Sequence, residues 1–182
     1  SEVEKILEEL KREVREHERR VEKLVRELED YVRRHREKVK RIEERLRDKL
    51  REIEELVKEG RLDDSEVERL KREVEDEARR LEEEHEKSLR RIEEKLREIE
   101  KDHKRSKEEL DKRLEDIRRR GLPEKAVREI ETLADEIRER IERSLKRIRD
   151  LIREIKEDLR RSLERIREII REIKKAIDDR RK

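Results

Sequence analysis

The chain has 182 residues, of which 59 are Lys or Arg and 57 are Asp or Glu, so 64% are charged while the net charge is only +2. Such a composition is typical of disordered proteins, but the balance of signs removes the self-repulsion that keeps a polyelectrolyte expanded. The absence of cysteine excludes disulfides and thiolate metal sites. No run of 18 or more apolar residues occurs and no leader-like segment opens the sequence. We therefore expect a soluble chain, cytoplasmic on recombinant expression, whose natural compartment the sequence leaves undetermined.

Two short breaks divide the sequence into three helices of nearly equal length. The first break contains Gly60, which suits a helix C-terminus, followed by a choice of N-cap residues at 63–65. The second break contains Gly121 just past one helix and Pro123 at the start of the next. We predict helices over about 1–59, 64–120 and 123–181, with loops at about 60–63 and 121–122.

Each predicted helix carries one apolar stripe, spaced by three and four residues, as Val14, Val21, Leu24 and Leu28 show in the first helix. Short loops join antiparallel neighbours. The pattern predicts an all-α fold, a single-chain up-down-up antiparallel three-helix bundle that forms one domain over 1–182. At 1.5 Å per residue the helices would make a rod of about 85–90 Å.

Histidine and serine residues recur within the apolar stripes at a spacing of 18 residues. The pairs are His17 and His35, His85 and His103, Ser88 and Ser106, and Ser144 and Ser162. Eighteen residues make five turns of a straight helix, so both members of a pair lie on the same face of their helix. The strongest internal repeat lies in the third helix, where segments 144–161 and 162–179 align without a gap. The pattern predicts a straight bundle with recurring layers.

Two buried hydrogen-bond networks are predicted from these positions. His17 and Ser106 lie equally far from the centre of the first loop, and so do His35 and Ser88. Across the second loop, His103 is offset from Ser144 by four residues, or about 6 Å, and His85 from Ser162 likewise. The predicted networks are His17, Ser106, His103 and Ser144, and then His35, Ser88, His85 and Ser162. Tyr31 is expected at the edge of the core, with its hydroxyl in solvent or joined to the layer of His35.

The short loops, recurring layers, strong helix formers and Glu/Arg surfaces resemble de novo designed helical bundles with parametric backbones. The resemblance covers the whole chain and is one of style, without a motif shared residue by residue. It implies a structural scaffold without natural biochemical activity, in which buried His/Ser layers specify helix register. The alternative is a pH-responsive designed bundle or homo-oligomer, destabilised when its buried histidines are protonated.

Other functions have little support in the sequence. No inward Asp, Glu or Cys is expected beside the histidines, so we predict no metal site, no cofactor and no catalytic residue. Acids are interleaved with the basic residues and there are no aromatic pairs for base stacking, which argues against nucleic acid as a partner. No helix pairs a wide apolar face with a basic one, so no membrane surface is expected either. We predict a monomer, with a homotrimer as the alternative.

Overall fold

The computed structural model describes residues 1–180 and consists of three long helices. They are α1 (Glu2–Lys58, 57 residues), α2 (Asp64–Arg119, 56 residues) and α3 (Glu124–Asp179, 56 residues). The predicted all-α three-helix bundle is confirmed, and the predicted helix ends that fall within residues 1–180 agree with the observed ones to within one residue. The predicted end of the third helix at Arg181 lies outside the described residues.

The ends of the helices are fixed by local hydrogen bonds. Gly60 has a φ of 67°, and the amides of Gly60 and Arg61 donate to the carbonyls of Val57 and Leu56, which is the Schellman arrangement. Asp63 is the N-cap of α2, because its Oδ1 accepts the amide of Glu66 at 2.8 Å. These bonds satisfy backbone groups that the first helix end and the next helix start would otherwise leave unpaired.

The described residues group into two compact units, each containing a stretch of every helix. The first unit comprises residues 1–29 and 92–153, and the second comprises residues 30–91 and, among the described residues, 154–180. Within the first unit α1 and α2 are antiparallel neighbours, since Glu9 pairs with Arg113 and Glu27 pairs with Lys95. The prediction of one domain over the whole chain stays a prediction.

Each unit has its own apolar core, built from the predicted stripes. The core of the first unit contains Ile6, Leu10, Val14, Leu110, Leu114, Ile117, Ile130, Ala134, Ile137 and Ile141. The core of the second unit contains fifteen buried residues, among them Leu46, Ile53, Leu70, Ile166 and Ile173. Within residues 1–180 no large apolar side chain is exposed. Burial of these stripes is the main force that holds the helices together.

The outer faces of the helices carry ion pairs. Many are spaced by three or four residues along one helix, as between Arg26 and Glu22. Others join two helices, as between Arg140 on α3 and Glu18 on α1 at 2.6 Å. Among the described helices, none has a segment long and apolar enough to cross a membrane.

The substitution Gly60→Ala should lower the free energy of unfolding by about 1 kcal/mol, because a side chain disfavours the left-handed backbone. A Cβ at this position meets no atom within 4 Å, so the cost comes from the backbone alone. Urea unfolding monitored by circular dichroism measures the change. The exposed helical substitution Glu52→Ala is the control and should change stability by less than about 0.5 kcal/mol. Equal stability of Gly60→Ala and the wild type would contradict this account of the loop.

Candidate functional site

The first polar layer is centred on His17, which lies on the apolar stripe of α1 and is 3% exposed. Its Nδ1 is 2.9 Å from the Oγ of Ser106 on α2 and 3.1 Å from the Oδ2 of Asp102, one turn earlier on the same helix. Asp102 in turn lies 3.4 Å from the Nε of Arg20. A carboxylate only accepts hydrogen bonds, so the Nδ1 of His17 carries the proton, which it donates to Ser106 while it lies in contact with Asp102.

Asp102 is the residue that sequence reasoning missed. The expectation that no inward carboxylate accompanies the histidines is wrong here, since the side chain of Asp102 is only 15% exposed. Its position held a signal, because Asp102 lies four residues before Ser106 and Glu84 lies four residues before Ser88. Residues four apart share a helix face. The pattern does not distinguish an inward carboxylate in this chain, because 64% of its residues are charged.

His103 joins the same layer through its ring. It is 2% exposed and packs edge to face against His17, with the ring centroids 4.7 Å apart. Its Nδ1 lies 2.8 Å from the carbonyl oxygen of Ile99, and because a carbonyl only accepts, Nδ1 carries the proton. The Nε2 atoms of His17 and His103 are buried and have no hydrogen-bond partner among the described residues. The first layer therefore holds two unused lone pairs close together in the core.

The second polar layer is centred on Ser88, which is fully buried. Its hydroxyl donates to the carbonyl of Glu84 at 2.8 Å. Since a hydroxyl has a single proton, the Nδ1 of His35 at 2.8 Å and the hydroxyl of Tyr31 at 3.2 Å must both donate to Ser88. Ser88 thus gives one hydrogen bond and accepts two, which uses its full capacity. The contact also places the Tyr31 hydroxyl in the layer of His35, the second of the two predicted positions.

The remaining predicted members do not join these layers. No hydrogen bond links His103 to Ser144, or His85 to Ser162, within the described part of the chain. The predicted offset of about 6 Å exceeds the length of a hydrogen bond, and the Nδ1 of His103 is already bound to its own helix. His85, Ser144 and Ser162 are half-buried, and Ser162 accepts from Arg165 at 3.2 Å.

Burial lowers the pKa of all four histidines below the ordinary value of 6.5. At His17 the nearby His103 lowers the pKa further, while the carboxylate of Asp102 opposes the shift. At His103 the carbonyl of Ile99 opposes it, and so does the carbonyl of Ile141 on α3, although that carbonyl completes no hydrogen bond to Nε2. The rings are accordingly neutral at pH 7.4.

The chemistry open to this layer is limited. In a nucleophilic triad the carboxylate and the hydroxyl bind opposite nitrogens of the imidazole. Here Asp102 and Ser106 both approach the Nδ1 of His17, so the ring cannot carry a proton from one to the other. Residues 1–180 contain no group of three or more His, Cys, Asp or Glu side chains placed to hold a metal ion.

The fold is similar to that of a solved structure described as a "Computationally designed three helix bundle". The TM-score is 0.52 at 20% sequence identity, over 98% of this chain and 85% of that one. No protein-family model matches the sequence, and no curated protein matches it significantly. The likeness agrees with the three-helix bundle seen here and with the resemblance to designed bundles at the level of the fold.

Removal of the serine hydroxyl should cost more in the second layer than in the first. Ser88→Ala leaves both His35 and Tyr31 without their acceptor, while after Ser106→Ala the Nδ1 of His17 still has Asp102. Since an unsatisfied buried polar group costs about 1–3 kcal/mol, Ser88→Ala should be the more destabilising by at least about 1 kcal/mol. Urea unfolding of the two variants side by side measures the difference. A larger loss for Ser106→Ala would contradict the assigned hydrogen bonds.

Proposed function

We propose that this chain is a designed structural scaffold without biochemical activity of its own, whose buried His/Ser layers specify the register of its helices. The observation that carries this proposal is the pairing of His17 with Ser106 and of His35 with Ser88, at 2.9 and 2.8 Å. Both pairs are equidistant from the loop that joins α1 to α2. The similarity in fold to a computationally designed bundle supports the same interpretation.

Register needs polar contacts because an apolar core does not define it well. Leu and Ile side chains of similar volume pack against each other after a shift of one turn, at a modest cost. A shift of one turn moves Ser88 by about 5.4 Å relative to His35, which breaks their hydrogen bond and leaves the Nδ1 of the buried His35 without its acceptor. The same shift breaks the hydrogen bond between His17 and Ser106. The two layers thus penalise a slip that the apolar stripes alone would tolerate.

A protein that acts only as a scaffold needs no exposed interaction surface. All large apolar side chains among residues 1–180 are at least partly covered. This supports the prediction of a monomer, because an exposed apolar face is what a homotrimer would bury. The mixed charges of the outer faces, paired within and between helices, favour solubility without selecting a partner.

The register proposal predicts a change in the alignment of α1 and α2 when both layers are made apolar, because the second layer alone would still hold the two helices in register. The variant His17→Leu, His103→Leu, Ser106→Ala, His35→Leu, Ser88→Ala should keep its helix content but populate more than one register. Spin labels are attached to cysteines at the exposed positions Arg26 on α1 and Lys112 on α2, which lie 15 residues, or about 22 Å, apart along the helix axis. Pulsed electron resonance then reports an axial slip as a change in the label–label distance. We expect one narrow distance in the parent and, in the variant, a broadened distribution or a second distance displaced by about 5 Å.

The control for this experiment is Val21→Ala in the labelled parent. Val21 is an apolar core residue that is 5% exposed, and its truncation should lower stability by about 1–3 kcal/mol while the distance stays narrow. A narrow, unshifted distribution in the apolar-layer variant would contradict the register proposal.

Acid sensitivity is a second candidate function, favoured by the two unpartnered Nε2 atoms of His17 and His103. Protonation of His17 adds an N–H at a buried atom that has no hydrogen-bond partner among residues 1–180, and protonation of His103 adds one for which the carbonyl of Ile141 is the nearby acceptor. Protonation of both places two cations in rings 4.7 Å apart. The charged groups that face His17 are Asp102, which favours its protonation, and Arg20, which opposes it. At His103, Asp102 favours protonation and Lys107 opposes it.

The pH dependence follows from the lowered pKa values. Below the unfolded pKa of about 6.5 the unfolded chain binds protons that the folded chain does not, so stability falls as the pH falls towards the folded pKa values. Urea midpoints at pH 7.4 and 5.0 measure this loss. His103→Leu should lose less stability between pH 7.4 and pH 5.0 than the wild type does. The half-buried control His85→Leu should lose an amount closer to that of the wild type. An unchanged loss in His103→Leu would contradict acid sensitivity through this pair.

A further inference from the structure

A cavity in the first unit lies against His17 and Ser106 and has a volume of about 230 Å³. Its floor is formed by buried apolar residues, including Leu10, Val14 and Ile141, and the half-buried hydroxyl of Ser106 lines its wall. Exposed side chains form its rim, so the cavity is open to solvent. The volume exceeds the roughly 150 Å³ of an enclosed apolar cavity that binds benzene, and the lining here adds polar groups to an apolar part.

The 18-residue repeat shows what fills the corresponding place in the second unit. Glu13 lines the cavity, and the equivalent position 18 residues later on α1 is Tyr31. The phenol of Tyr31 donates its hydroxyl to Ser88, the counterpart of Ser106. The guanidinium of Arg91 lies 5.5 Å from the centre of its ring. The second layer is thus completed by a covalently attached phenol, and the first layer has a carboxylate in that position.

Glu13 does not replace the phenol, because it forms an ion pair with Arg113 on α2 and its side chain is 46% exposed. The hydroxyl of Ser106 consequently has unused capacity. It accepts from the Nδ1 of His17, and among residues 1–180 it has no other hydrogen-bond partner. Ser88 has three partners at the same point of the repeat. The missing partners of Ser106 are an acceptor for its proton and a second donor, and one hydroxyl group can act as either.

The geometry points to a binding site for a small neutral phenol in the first unit, with the aromatic ring in the cavity and the hydroxyl bonded to Ser106. The charges of the rim disfavour an anion, because three carboxylates, those of Glu13, Glu16 and Glu109, line the cavity beside a single cation, Arg20. Arg20 is itself paired with Asp102. Glu109 occupies the repeat position equivalent to Arg91, so the ring of a bound phenol would lack the cation that lies over the ring of Tyr31. The site should therefore bind phenol weakly, with a Kd of about 1 mM.

Titration of the full-length protein with phenol tests this site, using two-dimensional NMR at pH 7.4 to follow the imidazole of His17 and the amides around Ser106. We expect saturable shifts confined to the first unit. Glu13→Tyr supplies the phenol covalently and should abolish the shifts, while Glu13→Gln, the matched control that also removes the ion pair, should still bind. Tyr31→Ala opens the corresponding place in the second unit and should add a second saturable site near Ser88.

Titration with compounds similar to phenol tests which of its groups the site recognises. Benzene should bind about tenfold more weakly because it leaves Ser106 without the hydroxyl, and Ser106→Ala should remove that preference. Benzoate should not bind. The absence of saturable shifts at about 20 mM phenol would overturn the proposal. Unchanged binding in folded Glu13→Tyr, or shifts spread over both units in the wild type, would overturn it as well.

Discussion

A polar group that leaves water must find a hydrogen-bond partner inside the protein, and this requirement shapes both layers of the bundle. The apolar stripes bring the helices together, but they accept several alignments at similar free energy. The polar groups of His17 and His35 are compatible with fewer alignments, because each Nδ1 needs an acceptor from α2 within about 3 Å. In the proposed function the layers contribute specificity of register, while most of the stability comes from the apolar core around them.

The two layers occupy equivalent positions of the 18-residue repeat, but their histidines and serines have different hydrogen-bond partners. In the second unit, Tyr31 and Glu84 complete the hydrogen bonds of Ser88, and the layer is closed. In the first unit, Asp102 binds the ring nitrogen, His103 packs against it, and two Nε2 atoms remain unpartnered. The closed layer is suited to a fixed structural role. The incomplete layer is the place where a proton or a small ligand can act, because it has unused donors and acceptors.

The sequence predicts the helices and the contacts between α1 and α2 well, for a physical reason. A tight loop and a fixed rise of 1.5 Å per residue determine which residues face each other across a hairpin. Side-chain conformation is not determined in this way. The Nδ1 of His103 donates to a carbonyl of its own helix and therefore does not reach the predicted partner Ser144. Nothing in the sequence indicates this side-chain conformation. Asp102 was missed because a carboxylate carries little information where most residues are charged.

The most direct test of the account is the tautomeric state of the histidines, measured by long-range nitrogen–proton NMR correlation on the uniformly labelled protein at pH 7.4. The account predicts neutral rings with the proton on Nδ1 for His17, His35 and His103, and hydrogen-bonded Nδ1 protons that exchange slowly with water. His85, which is half-buried and outside the layers, should show averaged tautomers. Protons on Nε2, or charged rings at this pH, would contradict the buried layers on which the account depends.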